Sequence, residues 1–181
     1  MLNKIFSFLN RSDDSPVVRD LHAAIVGQAR QPAFYAQHGV PDSLDGRFDM
    51  LVLHAYLAFR RLKELGQPAE AMSQQLFDLI FDDMDANLRE IGVGDLSVGK
   101  KVKKMAQAFF GRAAAYDAGL EPGAAPDVLE QALRRNVYGT VANPAQNDLA
   151  WLAGYTRSAI ATLAAQPAES LLKGRIGFPA P

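Results

Sequence analysis

The residues with the most suggestive spacing for chemistry form the stretch GDLSVGKK, residues 94–101. Two glycines and a lysine at this spacing are typical of a phosphate-binding loop, whose backbone amides hold nucleotide phosphates. The position that should carry a Ser or Thr ligand for magnesium holds Lys101 instead. Such a loop must also follow a β-strand, and a helix is predicted before this stretch. We therefore expect no nucleotide-binding site here.

A row of carboxylates precedes that stretch. Asp78, Asp82 and Asp85 are spaced so that they share one face of a helix, and Asp83 lies beside them. Helical bundles can build a di-iron site from such faces, but the partner helices must then carry Glu-x-x-His motifs. None of the three histidines lies in that context. The pattern favours a solvated acidic face or an interaction patch over a metal site.

Other reactive groups are scarce. His54 lies inside an apolar stretch, which is typical of a hydrogen-bonded core histidine. The chain has no cysteine, which excludes disulfides, thiolate metal ligands and a cysteine nucleophile. No Gly-x-Ser-x-Gly elbow for a serine nucleophile is present either. We therefore predict that the protein is not an enzyme and that it holds no metal and no cofactor.

Composition indicates an ordinary globular protein. Of the 181 residues, 49% are hydrophobic and 22% are charged, and the net charge is −1. The field of the whole molecule therefore does not favour nucleic acid, and any electrostatic recognition must come from local patches. The longest apolar run, residues 50–59, is far short of the ~20 residues that cross a bilayer. The first residues, MLNKIFSFLNR, lack the features of a signal peptide. We expect a cytoplasmic bacterial protein, with peripheral attachment to the cytoplasmic face of the inner membrane left open.

Helical periodicity dominates the elements that must position these groups. Prolines that suit the first turn of a helix, or glycines that suit its end, recur at Ser15-Pro16, Gly66-Gln-Pro68, Pro126 and Asn143-Pro144, and Pro32 is predicted to interrupt the first helix. No alternating strand pattern of useful length interrupts them. We predict an all-α, single-domain bundle of about six to eight helices. Its predicted parts are residues 1–12 as an N-terminal segment and candidate interfacial helix, residues 13–173 as the helical domain, and residues 174–181 as an irregular or mobile tail.

Two consecutive helices in the middle of the chain show the clearest inward faces. The first predicted face consists of Phe77, Ile80, Phe81, Met84, Leu88 and Ile91. After the glycines at positions 92 and 94, the second consists of Val98, Val102, Met105, Phe109, Ala113 and Tyr116. Phe110 falls one residue outside the second face and is predicted to be partly exposed.

The same two helices carry opposite charges. Residues 76–92 contain five acidic side chains and one basic one, whereas residues 95–120 contain five basic and two acidic ones. One interpretation is that the two solvated helix faces, which carry opposite charges, reduce each other's electrostatic potential. The other is a bipolar docking surface whose lysines, at positions 100, 101, 103 and 104, meet phosphate-rich RNA, anionic lipid or an acidic partner. Composition alone leaves both interpretations open.

Three pieces of the sequence carry a family resemblance. They are FDMLVLHAYLAFRRLK at residues 48–63, the segment at residues 76–120, and more loosely LRRNVYG at residues 133–139. The middle piece is the specific one, because it combines DDMD, LREIGVGD and the later GR pair. From residue 48 to residue 139 the chain resembles the ubiquinol–cytochrome c chaperone family, whose members are assembly factors for the cytochrome bc1 complex.

The resemblance implies an α-helical chaperone with neither catalytic residues nor a cofactor site. Family members bind newly made cytochrome b and hold it while the complex assembles. Mitochondrial members work with a small partner protein near the ribosomal exit tunnel, and we expect this chain to differ from them by having no transit peptide. The partners expected from the resemblance are cytochrome b, with a small partner chaperone and the ribosome as further candidates. No specific nucleic acid is expected.

The resemblance and the charge blocks together place the predicted partner-binding surface in residues 82–116. The predicted contact residues are Asp82, Asp83, Asp85, Arg89, Asp95, Lys101, Lys104, Phe110, Arg112 and Tyr116. Gly92, Gly94 and Gly111 are predicted to shape the backbone between them. The alternative is a peripheral membrane- or RNA-binding helical protein that uses the basic cluster Lys100–Lys104. An enzyme with a buried pocket is the third interpretation.

Overall fold

A computed structural model describes residues 15–181, and these residues form eight α-helices and no strand. The helices are α1 (Pro16–Ala29), α2 (Pro32–Ala36), α3 (Leu44–Leu65), α4 (Gln67–Glu90), α5 (Asp95–Leu120), α6 (Pro126–Asn136), α7 (Gln146–Ala165) and α8 (Ala168–Leu172). The prediction of an all-α bundle with six to eight helices is thereby confirmed. The predicted N-terminal segment, residues 1–12, lies outside the described residues.

Local signals explain most helix ends. Prolines occupy the first turn of α1, α2, α4 and α6. Backbone N–H groups in the first turn make no hydrogen bond within the helix, so proline, which has no N–H, costs none there. The Ser43 hydroxyl accepts a hydrogen bond from the Gly46 amide at 3.1 Å and caps α3. The prediction for α7 is wrong by two residues. Its cap is Ala145 and not Asn143, so Pro144 belongs to the loop before the helix.

Helix α3 is the centre of the bundle. Residues 52–58 are buried on every side, which is typical of a helix that is apolar all round and lies inside a bundle. Helices α1, α4, α5 and α7 all pack against it. Burying one such aliphatic side chain is worth about 1.5–3 kcal/mol, so this helix contributes a large share of the core energy.

Phenylalanines join α3 to the α4–α5 pair. Phe59 of α3 lies 5.7 Å from Phe109 of α5, measured between ring centroids, and 6.1 Å from Phe77 of α4. The α4 face predicted to point inward is buried at Ile80, Phe81 and Met84. Ile91 was predicted to lie on the same inward face but does not, because α4 ends at Glu90 and the helical period ends there.

The C-terminal residues form no regular element, yet they are attached to the bundle. The Gln166 side chain donates to the Gly177 carbonyl at 2.6 Å and accepts from the Gly177 amide at 2.8 Å. The Gln28 side chain donates to the Pro179 carbonyl at 2.9 Å. Phe178 packs edge-on against His54 at 5.3 Å between ring centroids. The tail therefore contributes an aromatic side chain that covers part of the core.

None of the helices within residues 15–181 combines the length and the apolarity that a membrane-spanning helix requires.

Candidate docking surface

The corner between α4 and α5 is built by backbone hydrogen bonds at a left-handed glycine. Gly92 has φ of 87°, and its amide donates to the Arg89 carbonyl at 2.9 Å. The Val93 amide then donates to the Leu88 carbonyl at 3.0 Å. These two bonds satisfy carbonyls at the end of α4 and turn the chain into α5.

Gly92 and Gly94 give a matched pair for testing this corner. Neither has any atom within 4 Å of an added Cβ, but Gly94 has an ordinary extended backbone and Gly92 a left-handed one. We expect Gly92→Ala to lower the free energy of unfolding by about 1 kcal/mol, because a Cβ disfavours left-handed backbone. Gly94→Ala is the control and should cause no loss. Urea unfolding followed by circular dichroism measures both, and equal stabilities would contradict the role of Gly92.

Arg89 ties the two helices together across the corner. Its Nε donates to Asp85 on α4 at 2.5 Å, and its Nη1 donates to Asp95 in the first turn of α5. The hydrogen bond to Asp85 is the main reason why the pKa of the Arg89 guanidinium is raised. Asp95 also lies where the helix dipole favours a negative charge. Three of the predicted site residues thus form one surface cluster.

The remaining predicted charges spread over two helices. Asp82 is exposed on α4, and Lys101 and Lys104 are exposed on α5. Asp83 is half-buried and faces α1, with its Oδ2 3.9 Å from His22 Nε2. The acidic face of α4 therefore points partly toward the bundle and only partly to solvent.

Phe110 and Gly111 make an apolar spot on the outside of α5. Phe110 is 52% exposed, and its ring stacks on Phe77 with centroids 5.6 Å apart. Gly111 is exposed, and a Cβ added there would meet no neighbour. The predicted partial exposure of Phe110 is confirmed. A well-supported, exposed aromatic ring beside open backbone is typical of an anchor in a protein interface.

Two predicted contact residues face the interior instead. Tyr116 is fully buried, and Arg112 donates from its Nη2 to the Asp49 carboxylate at 2.6 Å while lying over the Phe48 ring. The helical register is the reason, since both lie on the inward face that starts at Val98. Tyr116 and the Arg112 guanidinium hold α5 to the bundle and are not part of an exposed surface.

Burial controls the ionisation of that interior pair. Desolvation raises the pKa of Asp49 to about 7, and the neighbouring Arg112 charge opposes the rise.

A second polar contact joins α3 and α5 closer to the C-terminal end of α5. Asp117 on α5 accepts hydrogen bonds from the Tyr56 hydroxyl at 2.7 Å and from the Arg60 guanidinium at 2.6 Å. Helix α3 thus holds the C-terminal half of α5, whereas the N-terminal half packs on α4.

Sequence reasoning missed two exposed apolar residues at the corner. Leu96 is 94% exposed in the first turn of α5, and Ile91 is 59% exposed just after α4. A signal for Leu96 was present, because it falls outside the inward face that begins at Val98. These side chains extend the surface beyond the charged residues toward the end of the hairpin.

The features with apparent reactive chemistry have structural explanations. Residues 95–101 form the first turns of α5 and follow helix α4, as expected for a chance match to a phosphate-binding loop. His54 is buried: its Nδ1 donates to the Met50 carbonyl and its Nε2 accepts from the Tyr155 hydroxyl, each at 2.8 Å. Burial lowers the pKa of His54 to about 4, so the ring is neutral at physiological pH. The described part of the chain contains no group of three His, Asp or Glu side chains arranged to hold a metal ion.

Known proteins share both the sequence and this architecture. Residues 36–178 match the family model described as ubiquinol-cytochrome C chaperone. This chain belongs to the ubiquinol–cytochrome c chaperone family. The match is wider than the resemblance at residues 48–139 and covers the whole α4–α5 hairpin.

Two relatives support the assignment to the ubiquinol–cytochrome c chaperone family. The ubiquinol-cytochrome-c reductase complex assembly factor 1 of Xenopus laevis is 22% identical over 139 residues, which are 77% of this chain and 68% of that protein. The crystal structure of the Cbp3 homolog from Brucella abortus is 34% identical and superposes with a TM-score of 0.82, covering 99% of this chain and 97% of the other. The chain is therefore similar in sequence to a reductase complex assembly factor and in structure to a Cbp3 homolog.

Proposed function

We propose that this protein is a non-enzymatic chaperone that binds newly made cytochrome b and supports maturation of the ubiquinol–cytochrome c reductase complex. The observation that carries the proposal is the family match over residues 36–178. The Xenopus laevis relative is an assembly factor of that complex by name, and cytochrome b is the client that the family resemblance implies.

The proposed client-binding surface is the outer side of the α4–α5 hairpin. We define it by the exposed Asp82, Arg89, Lys101, Lys104 and Phe110. Phe110 supplies an aromatic anchor, and the charges on both sides supply complementarity and orientation. Arg112 and Tyr116 support this surface from inside. Among the predicted glycines, Gly92 sets the corner, and Gly111 leaves room for close approach by a partner.

The proposed place of work is the cytoplasmic face of the inner membrane, where an integral membrane client becomes accessible. A small partner chaperone and the ribosome are further proposed partners, and no nucleic acid contact is part of the proposal. An interaction of this kind needs no covalent step from the protein. Binding strength would come from the exposed anchor and the charges around it.

Deletion of the gene in the native host tests the proposal. We expect the assembled ubiquinol–cytochrome c reductase complex to fall, with cytochrome b spectra reduced and other respiratory complexes at normal levels. A plasmid copy of the gene should restore the complex. An unchanged level of the complex in the deletion strain would contradict the proposed function.

A further inference from the structure

The end of the α4–α5 hairpin exposes apolar and basic side chains that do not contribute to the core of the bundle. Three of the four large apolar side chains found exposed within residues 15–181 belong to this hairpin, and Leu96 and Ile91 lie at its end. A single exposed leucine needs no explanation. Here the two exposed aliphatic residues are followed by a dense group of lysines, at positions 100, 101, 103 and 104.

We propose that the hairpin tip, defined as residues 89–104, binds the surface of an anionic phospholipid bilayer. Leu96 and Ile91 enter the boundary between headgroups and acyl chains, and Lys100 and Lys104 meet the lipid phosphates. The inference rests on the proposed function, since it gives the chaperone a position beside a membrane client. The tip shares Arg89, Lys101 and Lys104 with the client-binding surface and does not include Phe110.

The helical geometry suits this orientation. Leu96, Lys100 and Lys104 follow one another at four-residue steps, so they form one strip on α5 opposite the inward face. At 1.5 Å per residue, Lys104 lies about 12 Å behind Leu96 along the axis. Interfacial segments bury their apolar residues about 5–10 Å into the headgroup boundary. The long lysine stems then bring their ammonium groups to the phosphate level.

The local charge favours an anionic surface although the whole chain has a net charge of −1. Residues 89–104 contain five basic and two acidic side chains, which gives this tip a net charge of +3. One of the two acidic residues, Asp95, is already paired with Arg89. The net positive charge of the tip therefore favours approach to lipid phosphates.

Lipid fits the tip better than RNA does. Proteins that bind single-stranded nucleic acid combine basic grooves with aromatic side chains on which the bases stack. Leu96 and Ile91 are aliphatic and offer no stacking face. Aliphatic side chains bounded by lysines are what an amphipathic membrane contact requires.

Flotation of the full chain with lipid vesicles tests the inference. Vesicles of phosphatidylcholine with 30% phosphatidylglycerol should bind the protein, whereas pure phosphatidylcholine vesicles should not. We expect Leu96→Ser with Ile91→Ser to lower the partition coefficient about tenfold through lost apolar burial. Lys100→Gln should lower it about fivefold. Leu44→Ser, at an exposed leucine outside the hairpin, is the matched control and should bind like the parent protein.

Several outcomes overturn the inference. They are equal binding by the Leu96/Ile91 variant and the parent, equal binding to neutral and anionic vesicles, and binding to poly-U RNA without binding to vesicles. Recovery of cytochrome b in detergent separates this inference from the proposed function, because no bilayer is present there. Vesicle binding without cytochrome b recovery leaves the lipid inference standing and contradicts the proposed client. The opposite result supports the client and contradicts the lipid contact.

Discussion

Replacing Arg112 with alanine is expected to lower the free energy of unfolding by about 3 kcal/mol at pH 8. The reason is the buried carboxylate that the substitution leaves behind. Asp49 loses the hydrogen bond of 2.6 Å from Arg112 and the charge that favours its ionised form. Breaking a buried ion pair by removing one partner costs about 3–5 kcal/mol, and the partial exposure of Arg112 places this case at the lower end.

The loss of unfolding free energy caused by Arg112→Ala is expected to depend on pH. The pKa of Asp49 is raised to about 7 in the folded state, so the carboxyl group stabilises the fold below its ordinary pKa near 4. That contribution disappears as the pH rises through about 7. Without Arg112 the folded-state pKa rises further, and Asp49 stays neutral over a wider range. The destabilisation by Arg112→Ala should therefore be smaller at pH 5 than at pH 8.

Urea unfolding of four proteins at both pH values measures this effect. The parent, Arg112→Ala, Asp49→Asn and the double variant form a cycle that isolates the coupling between the two side chains. Arg47→Ala is the surface control, because Arg47 pairs with Asp42 in the open and should change the midpoint little. A loss from Arg112→Ala that is no larger than the control's loss, or is the same at pH 5 and pH 8, would refute the role of the pair.

Reversing the charges of Lys101 and Lys104 is expected to lower the recovery of cytochrome b at least tenfold. Both lysines are exposed on α5, so their reversal should leave the fold intact. Phe110→Ala should have an effect of similar size, because its ring is 52% exposed and supported from beneath by Phe77. Truncating an interface anchor of this kind costs about 2 kcal/mol or more.

A charge-matched control is available away from the hairpin. Arg19→Glu with Lys63→Glu produces the same change in net charge at exposed positions of α1 and α3. Circular dichroism checks that every variant is folded. The hairpin variants should also lower the level of the assembled reductase complex in cells, whereas the control should not. Equal loss from both double variants would show that net charge, and not this surface, governs binding.

The periodicity of apolar residues was enough to predict the fold. It predicted an all-α bundle and placed Phe109 and Tyr116 on the inward face of α5. Periodicity acts within one helix, so it fails where a helix ends. Ile91 lies beyond the last turn of α4, directly before the left-handed Gly92, so the helical period no longer determines which way its side chain points.

The candidate surface was harder to predict than the fold. Arg112 was assigned to it because it belongs to the basic block of residues 95–120 and to the GR pair that carries the family resemblance. Its partner Asp49 lies 63 positions earlier and on another helix, so no local pattern reveals the pair. Tyr116 belongs to the inward stripe, and its inclusion in the surface conflicted with that periodicity. The attachment of the C-terminal tail could not be predicted for the same reason, since its contacts with Gln28 and Gln166 involve helices that are distant in sequence.

The two halves of α5 now have different roles. The C-terminal half is held by the Asp49–Arg112 pair and by Asp117, which accepts hydrogen bonds from Tyr56 and Arg60. The N-terminal half packs on α4 through the inward stripe that starts at Val98 and exposes the rest of its circumference. A rigid base with an exposed arm is a suitable support for a docking surface.

Capture of newly made cytochrome b tests the central claim most directly. Cells of the native host are pulse-labelled, their membranes are solubilised in mild detergent, and the tagged full chain is recovered. We predict that labelled cytochrome b is recovered with the parent protein and with the Arg19/Lys63 control, and that it is lost with the Lys101/Lys104 variant. Absence of labelled cytochrome b from the parent sample, with the tagged protein folded and recovered, would contradict the account.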